Sequence, residues 1–459
     1  MKRKKRKKTL GIVLLAIVAA AGVLTAARWR VWFHNEPEMP YRGLPAPGRI
    51  LLTFGDSTAL SRNVSWQCGE EVRPSHVDLE TADSTLRRRI DAHGETFVSR
   101  NGRAAYYVAR LPHLQPSTRY RYRVVTDSLA SAWHTFSTPP SGSRPFEFLY
   151  VGDVQDTIHG IANRLLRQAC QRHPRTEFLV CGGDLTERPT DQHWAETFRT
   201  LDSIGQTLPV LCATGNHDYL KGIVGHVERR FSLVFSYFQQ SALGDNHLYT
   251  LRYADAQFFL LDSNRELPYL LTQRRWLTEQ LERSTARWKI LVVHHPLHSV
   301  KGNNNLLQRW LFDGVARTHG VDLILQGHEH AYARMTHHRD DGTPTTPVYT
   351  VSHCSPKHYR IEFDDRFDKF GIADRYYQHV RISRDTLALA VYTADDHHLY
   401  DSLLIVKPSG STTPTILDHG THIPERMDYT PCPHNRKDRQ YADRIADYLR
   451  RHPERTRQH

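Results

Sequence analysis

The sequence predicts an α/β domain of two mixed sheets flanked by helices, preceded by an all-β sandwich. Three observations support this fold class. Strand-like apolar runs alternate with helical stretches over the central part of the chain. Five of these runs end in a polar turn, as strands do when a ligand site lies at their carboxyl ends. Short alternating segments separated by turn residues fill the region before them, which is typical of a sandwich.

The 459 residues are enough for about three folded units, and the composition divides the chain into four segments. Residues 1–30 contain a basic tip and an apolar stretch, and residues 40–139 carry the alternating pattern of the sandwich. The α/β pattern occupies residues 145–407. Residues 408–459 form a tail to which the sequence assigns no function.

The N-terminal segment is typical of a protein that leaves the cytoplasm. Basic residues 2–8 precede an uncharged apolar run at 10–27. This run is at the lower limit for a membrane-spanning helix, and it is longer than the usual apolar core of a cleaved signal peptide. Two alternatives follow: an inner-membrane anchor with the basic end inside, or a signal peptide cut near residues 25–27. Both place the later residues outside the cytoplasm, in the cell envelope or secreted.

The formal net charge of +12 does not indicate a nucleic-acid partner. Seven of those charges belong to residues 2–8, so the rest of the chain carries +5. A dedicated nucleic-acid binder needs a basic face with groups that read the bases. We therefore expect no nucleic acid among the partners.

The sandwich region predicts strands at 49–54, 63–67, 105–110 and 118–125. In the last of these, Tyr120, Tyr122 and Val124 alternate with arginines, as an antiparallel strand with one buried face requires. We expect this domain to act as a packing partner without catalytic residues.

The following region predicts helices between the apolar runs, at 157–173, 191–204, 272–286 and 303–319. This alternation favours right-handed crossovers and a mostly parallel sheet. Later strands are expected to close the domain with a second sheet, at 347–352, 378–382, 387–393 and 402–406. A charged helix is predicted in the tail at 438–450.

Five apolar runs end in potential metal ligands. The run at 208–213 leads into Gly215-Asn216-His217-Asp218, which supplies an amide oxygen, an imidazole and a carboxylate together. The other four runs end in Asp153, Asp184, His294 with His295, and His328 with His330. Donors of these types suit borderline metal ions such as Fe, Mn or Zn.

The order of these five motifs over about residues 145–405 resembles the calcineurin-like metallophosphoesterases. The ending Gly327-His-Glu-His-Ala-Tyr-Ala-Arg334 is most similar to the purple acid phosphatases. The sandwich resembles the fibronectin type III module that precedes the catalytic domain in plant-like members of that family. Five motifs in order are far more specific than any one of them.

The resemblance implies two metal ions, which acidify a water and clamp the phosphoryl oxygens during ester hydrolysis. Asp184 would bridge both ions. Asp153 and His330 would complete one site. The ligands of the other site would be Asn216, His294 and His328.

The resemblance also implies residues that act on substrate. His217 would stabilise the transition state or protonate the leaving oxygen, with Asp218 as an orienting group. His295 and Arg334 are candidates for phosphate contact or support of the site. Arg334 could equally be a structural cation paired with a carboxylate.

Two positions depart from the family pattern. Many members have a histidine two residues after the first aspartate, where this chain has Gln155. Purple acid phosphatases also lack that histidine and use a tyrosine three residues after the second aspartate, where this chain has Glu187. We favour the Gln155 amide oxygen as the replacement ligand, with Glu187 as the alternative. Without the tyrosine we expect neither the charge-transfer colour nor a firmly held ferric ion.

These expectations describe an exported binuclear phosphatase that hydrolyses small phosphomonoesters. One alternative is a phosphodiesterase acting on nucleotides, glycerophosphodiesters or lipid-derived head groups. Another is a phosphate- or sugar-binding surface protein whose altered first metal site has lost turnover. Loops at 301–305 and 352–358 are expected to line the substrate, and the oligomeric state is left open.

Overall fold

The computed structural model describes residues 15–16, 18–20, 22–30, 33–222, 224–238, 240, 243, 246–302, 304–409 and 413–456. The basic tip and part of the apolar run expected at 10–27 lie outside these residues. Within the described part of the chain, no helix is both long and apolar enough to span a bilayer.

An all-β sandwich precedes the α/β region, as predicted. Its two five-stranded sheets share one core, in which Tyr120, Tyr122 and Val124 are buried as their alternation requires. One sheet contains strands Tyr41–Arg42, Gly48–Phe54, Arg62–Gln67, His93–Val98 and Gly102–Leu111. The other contains Ser75–Thr81, Arg87–Asp91, Arg119–Thr126, Leu129–Ala130 and His134–Ser137.

The α/β region contains two seven-stranded mixed sheets, which confirms the predicted fold class. The first sheet contains Phe146–Val151, Thr176–Cys181, Val210–Cys212, Tyr376–Ile382, Thr386–Thr393, Leu399–Val406 and Thr415–Asp418. The second contains Tyr249–Tyr253, Ala256–Leu261, Trp288–Val293, Leu323–Gln326, Tyr332–His338, Pro344–Val351 and Lys369–Gly371. A short hairpin of Tyr219–Leu220 and His226–Val227 stands apart from both.

The distribution of the later strands differs from the prediction of a mostly parallel sheet closed by a separate one. Strand Tyr376–Ile382 pairs antiparallel with Phe146–Val151 and so extends the first sheet. Strand Pro344–Val351 instead pairs in parallel with Leu323–Gln326 in the second sheet. Hydrophobic alternation identifies a strand but carries no information about its partner, because every strand of this kind has the same period. The strand ends that carry the candidate ligands are therefore divided between two sheets.

The longer helices lie at Ala162–Arg172, Asp191–Thr200, Leu267–Arg283 and Arg436–Arg451, with a short one at Arg229–Val234. A further helical stretch, 306–318, contains the π-helical turn Arg309–Asp313. The first helix begins five residues later than predicted, because residues 157–161 continue the loop that follows strand Phe146–Val151. The carboxylate of Asp156 accepts the Ala162 backbone N–H at 2.7 Å, which satisfies one of the free donors of the first turn.

The C-terminal helix is amphipathic and packs back onto the second sheet. Tyr441, Ile445 and Tyr448 recur at helical spacing on one face and are buried. The Tyr448 ring lies 4.7 Å from the Phe363 ring and 5.6 Å from the Phe370 ring. The tail is therefore part of the folded domain.

Candidate metal centre

The ends of strands from both sheets meet at one edge of the α/β region. Asp153 and Asp184 follow strands of the first sheet, and His294 follows a strand of the second. Their donor atoms all lie within 4.8 Å of one another, and all three side chains are buried. Three donors from three different strands thus converge on a volume the size of a metal site.

Asp184 occupies the middle of this group. Its Oδ1 accepts the backbone N–H of His217 at 2.7 Å, and its Oδ2 lies 3.3 Å from His294 Nε2. Its backbone has a φ of 50°, a left-handed conformation that costs free energy at a residue other than glycine. A Cβ on Gly215 would lie 1.9 Å from Asp184 Oδ1, so the glycine permits the close approach.

Two buried acceptor oxygens beside Asp184 have no hydrogen-bond donor. One is Asp153 Oδ2, which lies 3.1 Å from His330 Nε2 without forming a hydrogen bond. The other is Gln155 Oε1, whose side-chain nitrogen donates to Asp184 Oδ2 at 3.3 Å. Buried oxygens without donors are costly unless a cation satisfies them. The residues present therefore fit a bound metal ion.

Two further donors, Asn216 and His328, lie beside His294. The amide oxygen of Asn216 lies 3.0 Å from His294 Nε2 and 2.8 Å from His328 Nδ1. His294 Nδ1 lies 2.9 Å from the Gly182 carbonyl, which can only accept, so Nδ1 donates and Nε2 faces the centre. A hydrogen bond of this kind fixes the ring of a metal-binding histidine in the required orientation.

The electrostatics of the group also favour a cation. Burial lowers the pKa of His294, but Asp184 and Asp153 raise it more strongly, to about 10 overall. Burial and the charge on His294 lower the pKa of His295 to about 3. Burial similarly holds the pKa of His328 well below its usual value. Two carboxylates thus hold one positive charge at the position where a metal ion would supply it.

His217 lies at the mouth of the group and is half-buried. Its Nδ1 is 2.6 Å from the Glu187 carbonyl oxygen, which can only accept a hydrogen bond. Nδ1 therefore carries a proton, and Nε2 is left for a ligand. The Glu187 carboxylate turns away, with both oxygens 2.6 Å from Lys357 Nζ. In this arrangement Glu187 holds His217 through its backbone, and its side chain is paired with a lysine.

Asp218 bonds to the turn that carries the ligands. Its Oδ2 accepts the Gly215 backbone N–H at 2.7 Å, and burial, together with the nearby Asp184, holds its pKa well above the usual range. His295 lies beside the candidate ligand His328, with its ring 4.3 Å from that of His328 and its Nδ1 2.9 Å from Ser263 Oγ.

Arg334 is not brought into this group. Its guanidinium bonds to three carboxylates, at 2.7 Å from Asp401, 2.8 Å from Asp418 and 3.2 Å from Asp368. Only 1% of the arginine is exposed. These contacts match the alternative of a structural cation.

Two supporting residues were not identified from the sequence. Glu329 is buried between the two ligand histidines and accepts from Ser299 Oγ at 2.5 Å and from the Val300 N–H at 2.7 Å. The Tyr359 ring stacks on His330 at 4.2 Å and 10°. The alternation in His-x-His could have indicated that Glu329 points away from the metal. Tyr359 lies in an aperiodic loop, where no pattern singles it out.

Two cavities flank Asn216 and could receive a substrate. One has a volume of about 260 Å³ and is lined by His217, Arg188 and Arg100 among others. The other has a volume of about 560 Å³ and is lined by Phe33 and His295 among others. The centre is therefore open to solvent on two sides.

Two family models match the chain. Residues 146–332 match the calcineurin-like phosphoesterase model, and residues 47–138 match the purple acid phosphatase N-terminal domain. Among curated proteins, the chain is 24% identical over 314 residues to purple acid phosphatase 1 of Ipomoea batatas, covering 64% of this chain and 65% of that protein. It is also 24% identical over 313 residues to a phosphoenolpyruvate phosphatase of Allium cepa, covering 63% of each. The matched region thus spans slightly less than two thirds of each relative.

The fold is shared with a solved structure. Purple acid phosphatase PPD1 from yellow lupin, Lupinus luteus, superposes with a TM-score of 0.65 at 16% identity, covering 80% of this chain and 75% of that one. At this identity the likeness concerns the arrangement of the strands and helices. It agrees with the two mixed sheets and the preceding sandwich.

Proposed function

Because residues 146–332 are a calcineurin-like phosphoesterase domain and residues 47–138 a purple acid phosphatase N-terminal domain, we propose that the protein is a metal-dependent phosphatase that hydrolyses phosphomonoesters. The observation that carries this proposal is the convergence of Asp153, Asp184 and His294 within 4.8 Å at the strand ends. The free oxygens beside them support it, because they accept a cation and nothing else in the described surroundings donates to them.

We assign the ligands of two ions from this geometry and from the family resemblance. Asp184 would contribute to both ions. Asp153, Gln155 and His330 would hold the first ion, and Asn216, His294 and His328 would hold the second. Bound ions of the Fe, Mn or Zn type would acidify a water and neutralise the phosphoryl oxygens.

In its protonated form, His217 is proposed to give its Nε2 proton to the leaving oxygen, which leaves a neutral ring with the proton on Nδ1. The Glu187 carbonyl fixes its Nδ1–H, so Nε2 is the atom that meets the ester. The backbone N–H of His217 donates to Asp184, which ties the position of the acid to that of the bridging carboxylate. Asp218 holds the turn that places them both.

His295 is proposed as a neutral donor to a phosphoryl oxygen. Ser263 Oγ accepts the backbone N–H of His295, so its own proton is available to the ring Nδ1. The ring proton then resides on Nε2. A neutral imidazole with this tautomer can donate to phosphate without a change of charge.

A phosphodiesterase is the second candidate. A diester carries two substituents on phosphorus, and the two cavities that meet at Asn216 offer a place for each. A monoester needs only one of them.

The test compares a nitrophenyl phosphate with its bis-ester, before and after reconstitution with Mn, Fe or Zn, alongside elemental analysis of the purified chain. We expect about two metal ions per chain and a preference for the monoester. Preference for the bis-ester would favour the diesterase. Absence of turnover with every ion would contradict both and leave a phosphate- or sugar-binding protein.

Export belongs to the same proposal and is supported by the basic residues 2–8 followed by the apolar run 10–27. Cell fractionation and N-terminal sequencing test it. An intact N-terminus in the membrane fraction identifies an anchor, and a start near residues 25–27 identifies a cleaved signal peptide. Recovery of the intact chain in the cytosol would contradict export.

A further inference from the structure

A second cluster of side chains that can bind a metal ion lies outside the strand-end centre. His298, Asp313 and His337 offer donor atoms that all lie within 4.8 Å of one another. They come from the loop after strand Trp288–Val293, from the π-helical turn and from strand Tyr332–His338. None of the three is among the ligands assigned above. The strand-end centre therefore does not account for this cluster.

The distances within this cluster suit a shared ion. His298 Nε2 lies 3.1 Å from Asp313 Oδ1, and His337 Nε2 lies 3.3 Å from the hydroxyl of Tyr349. Zinc bonds of about 2.0–2.2 Å at tetrahedral angles separate neighbouring donor atoms by about 3.3 Å. The His298 and His337 rings are 5.6 Å apart at 77°, so they approach the shared volume from different directions.

The cluster is buried and incompletely hydrogen-bonded. His298 is 3% exposed and Asp313 is 9% exposed, while His337 is half-buried and leaves a route from solvent. Tyr349 donates its hydroxyl to Asp313 Oδ1 at 2.5 Å. His298 Nδ1 is buried without any partner. Because Nε2 is the ring nitrogen that faces Asp313, an ion shared with Asp313 would bind at Nε2. The free Nδ1 therefore needs a separate hydrogen-bond partner, such as an ordered water.

The protonation of His337 and the types of donor atom decide which kind of ion fits. Burial, reinforced by Arg317, lowers the pKa of His337 to about 4, so the ring is neutral near pH 7, as a metal ligand must be. Arg317 and Arg309 repel every dication alike, so the donor atoms make the selection. Asp313 is the one carboxylate in the cluster, and the other two donors are imidazoles. Ca²⁺ and Mg²⁺ depend on several oxygen ligands, whereas Zn²⁺ and similar ions bind imidazole well.

We propose that His298, Asp313 and His337 form a separate mononuclear site for a borderline divalent ion of the Zn²⁺ type. Its fourth position is left to water or to the Tyr349 hydroxyl. The site joins the loop that follows His294 to the π-helical turn Arg309–Asp313. In that loop Ser299, next to His298, donates to Glu329 between the two ligand histidines. Its role is to fix that loop.

Elemental analysis of the full chain tests the stoichiometry, in an Asp184→Asn background that removes ions from the strand-end centre. After loading with Zn²⁺ and dialysis, the background is expected to retain about one ion per chain. His337→Gln and Asp313→Asn are each expected to retain one ion fewer than this parent. His338→Ala is the matched control, because His338 is the exposed neighbour of His337 and lies outside the cluster.

Cobalt substitution gives a second readout that does not depend on activity. Co²⁺ in the Asp184→Asn background is expected to show visible absorption of a four- or five-coordinate site, lost in Asp313→Asn and kept in His338→Ala. Asp313→Asn still offers an oxygen to Tyr349, so circular dichroism is expected to show a folded protein. Equal metal content and equal spectra in all variants would overturn the proposal and leave a hydrogen-bonded packing cluster.

Discussion

Two groups of buried and half-buried carboxylates lie in the same domain and satisfy their charge in opposite ways. In the Arg334 group, Asp401 and Asp418 bond to a guanidinium that the chain itself supplies. In the strand-end group, Asp153 and Asp184 contact imidazoles and uncharged N–H donors, and among the described residues no lysine or arginine forms an ion pair with either. Carboxylates paired with an arginine of the same chain indicate a structural role. Buried carboxylates without such a partner indicate a binding site for a metal ion.

The electrostatics follow the same division. Although burial opposes its charge, Arg334 has a pKa well above the usual range because Asp401, Asp418 and Asp368 surround it. The corresponding positive charge in the strand-end group is a proton on His294, which a metal ion can displace. We therefore interpret the exchangeable proton on His294 as the mark of a functional site. The permanent charge of Arg334 instead stabilises the fold.

The largest effect on turnover and metal content is expected for Asp184→Asn. If this variant kept its metal ions, the contrast between the two groups would be wrong. Loss of the bridging charge is expected to reduce turnover to background and to remove both ions from the strand-end centre, because Asp184 contacts both halves. Elemental analysis and the rate on nitrophenyl phosphate measure this. Asp418→Asn, the matched change in the Arg334 group, is expected to leave metal content unchanged in the folded fraction.

His217→Ala separates chemistry from metal binding within the strand-end group. Removal of a general acid typically lowers the rate by about 10²–10⁴-fold, and the ions are expected to remain because His217 is not a ligand. Parallel assays of rate and metal content check this. Equal metal loss in His217→Ala and Asp184→Asn would contradict the assigned roles.

Arg334→Met tests the structural side. Removing one partner of a buried ion pair costs about 3–5 kcal/mol, because three carboxylates lose their cation. Urea unfolding is expected to report that loss, with metal stoichiometry preserved in the folded molecules. Arg334→Lys keeps the positive charge but loses the planar guanidinium, so its stability is expected to lie between those of the parent and Arg334→Met. A stable Arg334→Met protein that had lost metal would place Arg334 in the centre after all.

The smallest expected effect is in the pH dependence of stability. Burial raises the pKa of Asp401, but Arg334 and other partners outweigh it, so its folded pKa lies below the usual value. Its contribution is therefore present above about pH 4 and is lost as the pH falls through the lower folded value. The melting temperature of Asp401→Asn is expected to fall less steeply than that of the parent between pH 5 and pH 3. Parallel slopes would mean that other acids dominate this range.

The strand-end motifs could be predicted because each depends on a short stretch of sequence. An apolar run followed by Asp153 or His294 specifies both the strand and the residue at its end. The partners of Arg334 could not be predicted, since Asp368, Asp401 and Asp418 come from distant strands and no local pattern links them.

The replacement of the missing ligand shows the same limit. The sequence placed Gln155 and Glu187 as alternatives on position alone. Only the fold brings Lys357 to the Glu187 carboxylate and leaves Gln155 Oε1 buried without a donor. The assignment of Gln155 as a ligand remains a prediction, which metal content of Gln155→Ala can test.

The packing of the C-terminal helix also sets an order of events during biosynthesis. Helix Arg436–Arg451 covers Phe363 and Phe370, which follow Tyr359 in the segment that stacks on His330. The ribosome adds this helix more than sixty residues after that segment. The packing around Phe363 and Phe370 therefore stays incomplete while the intervening chain is made. Maturation of the centre therefore waits until helix Arg436–Arg451 has emerged from the ribosome.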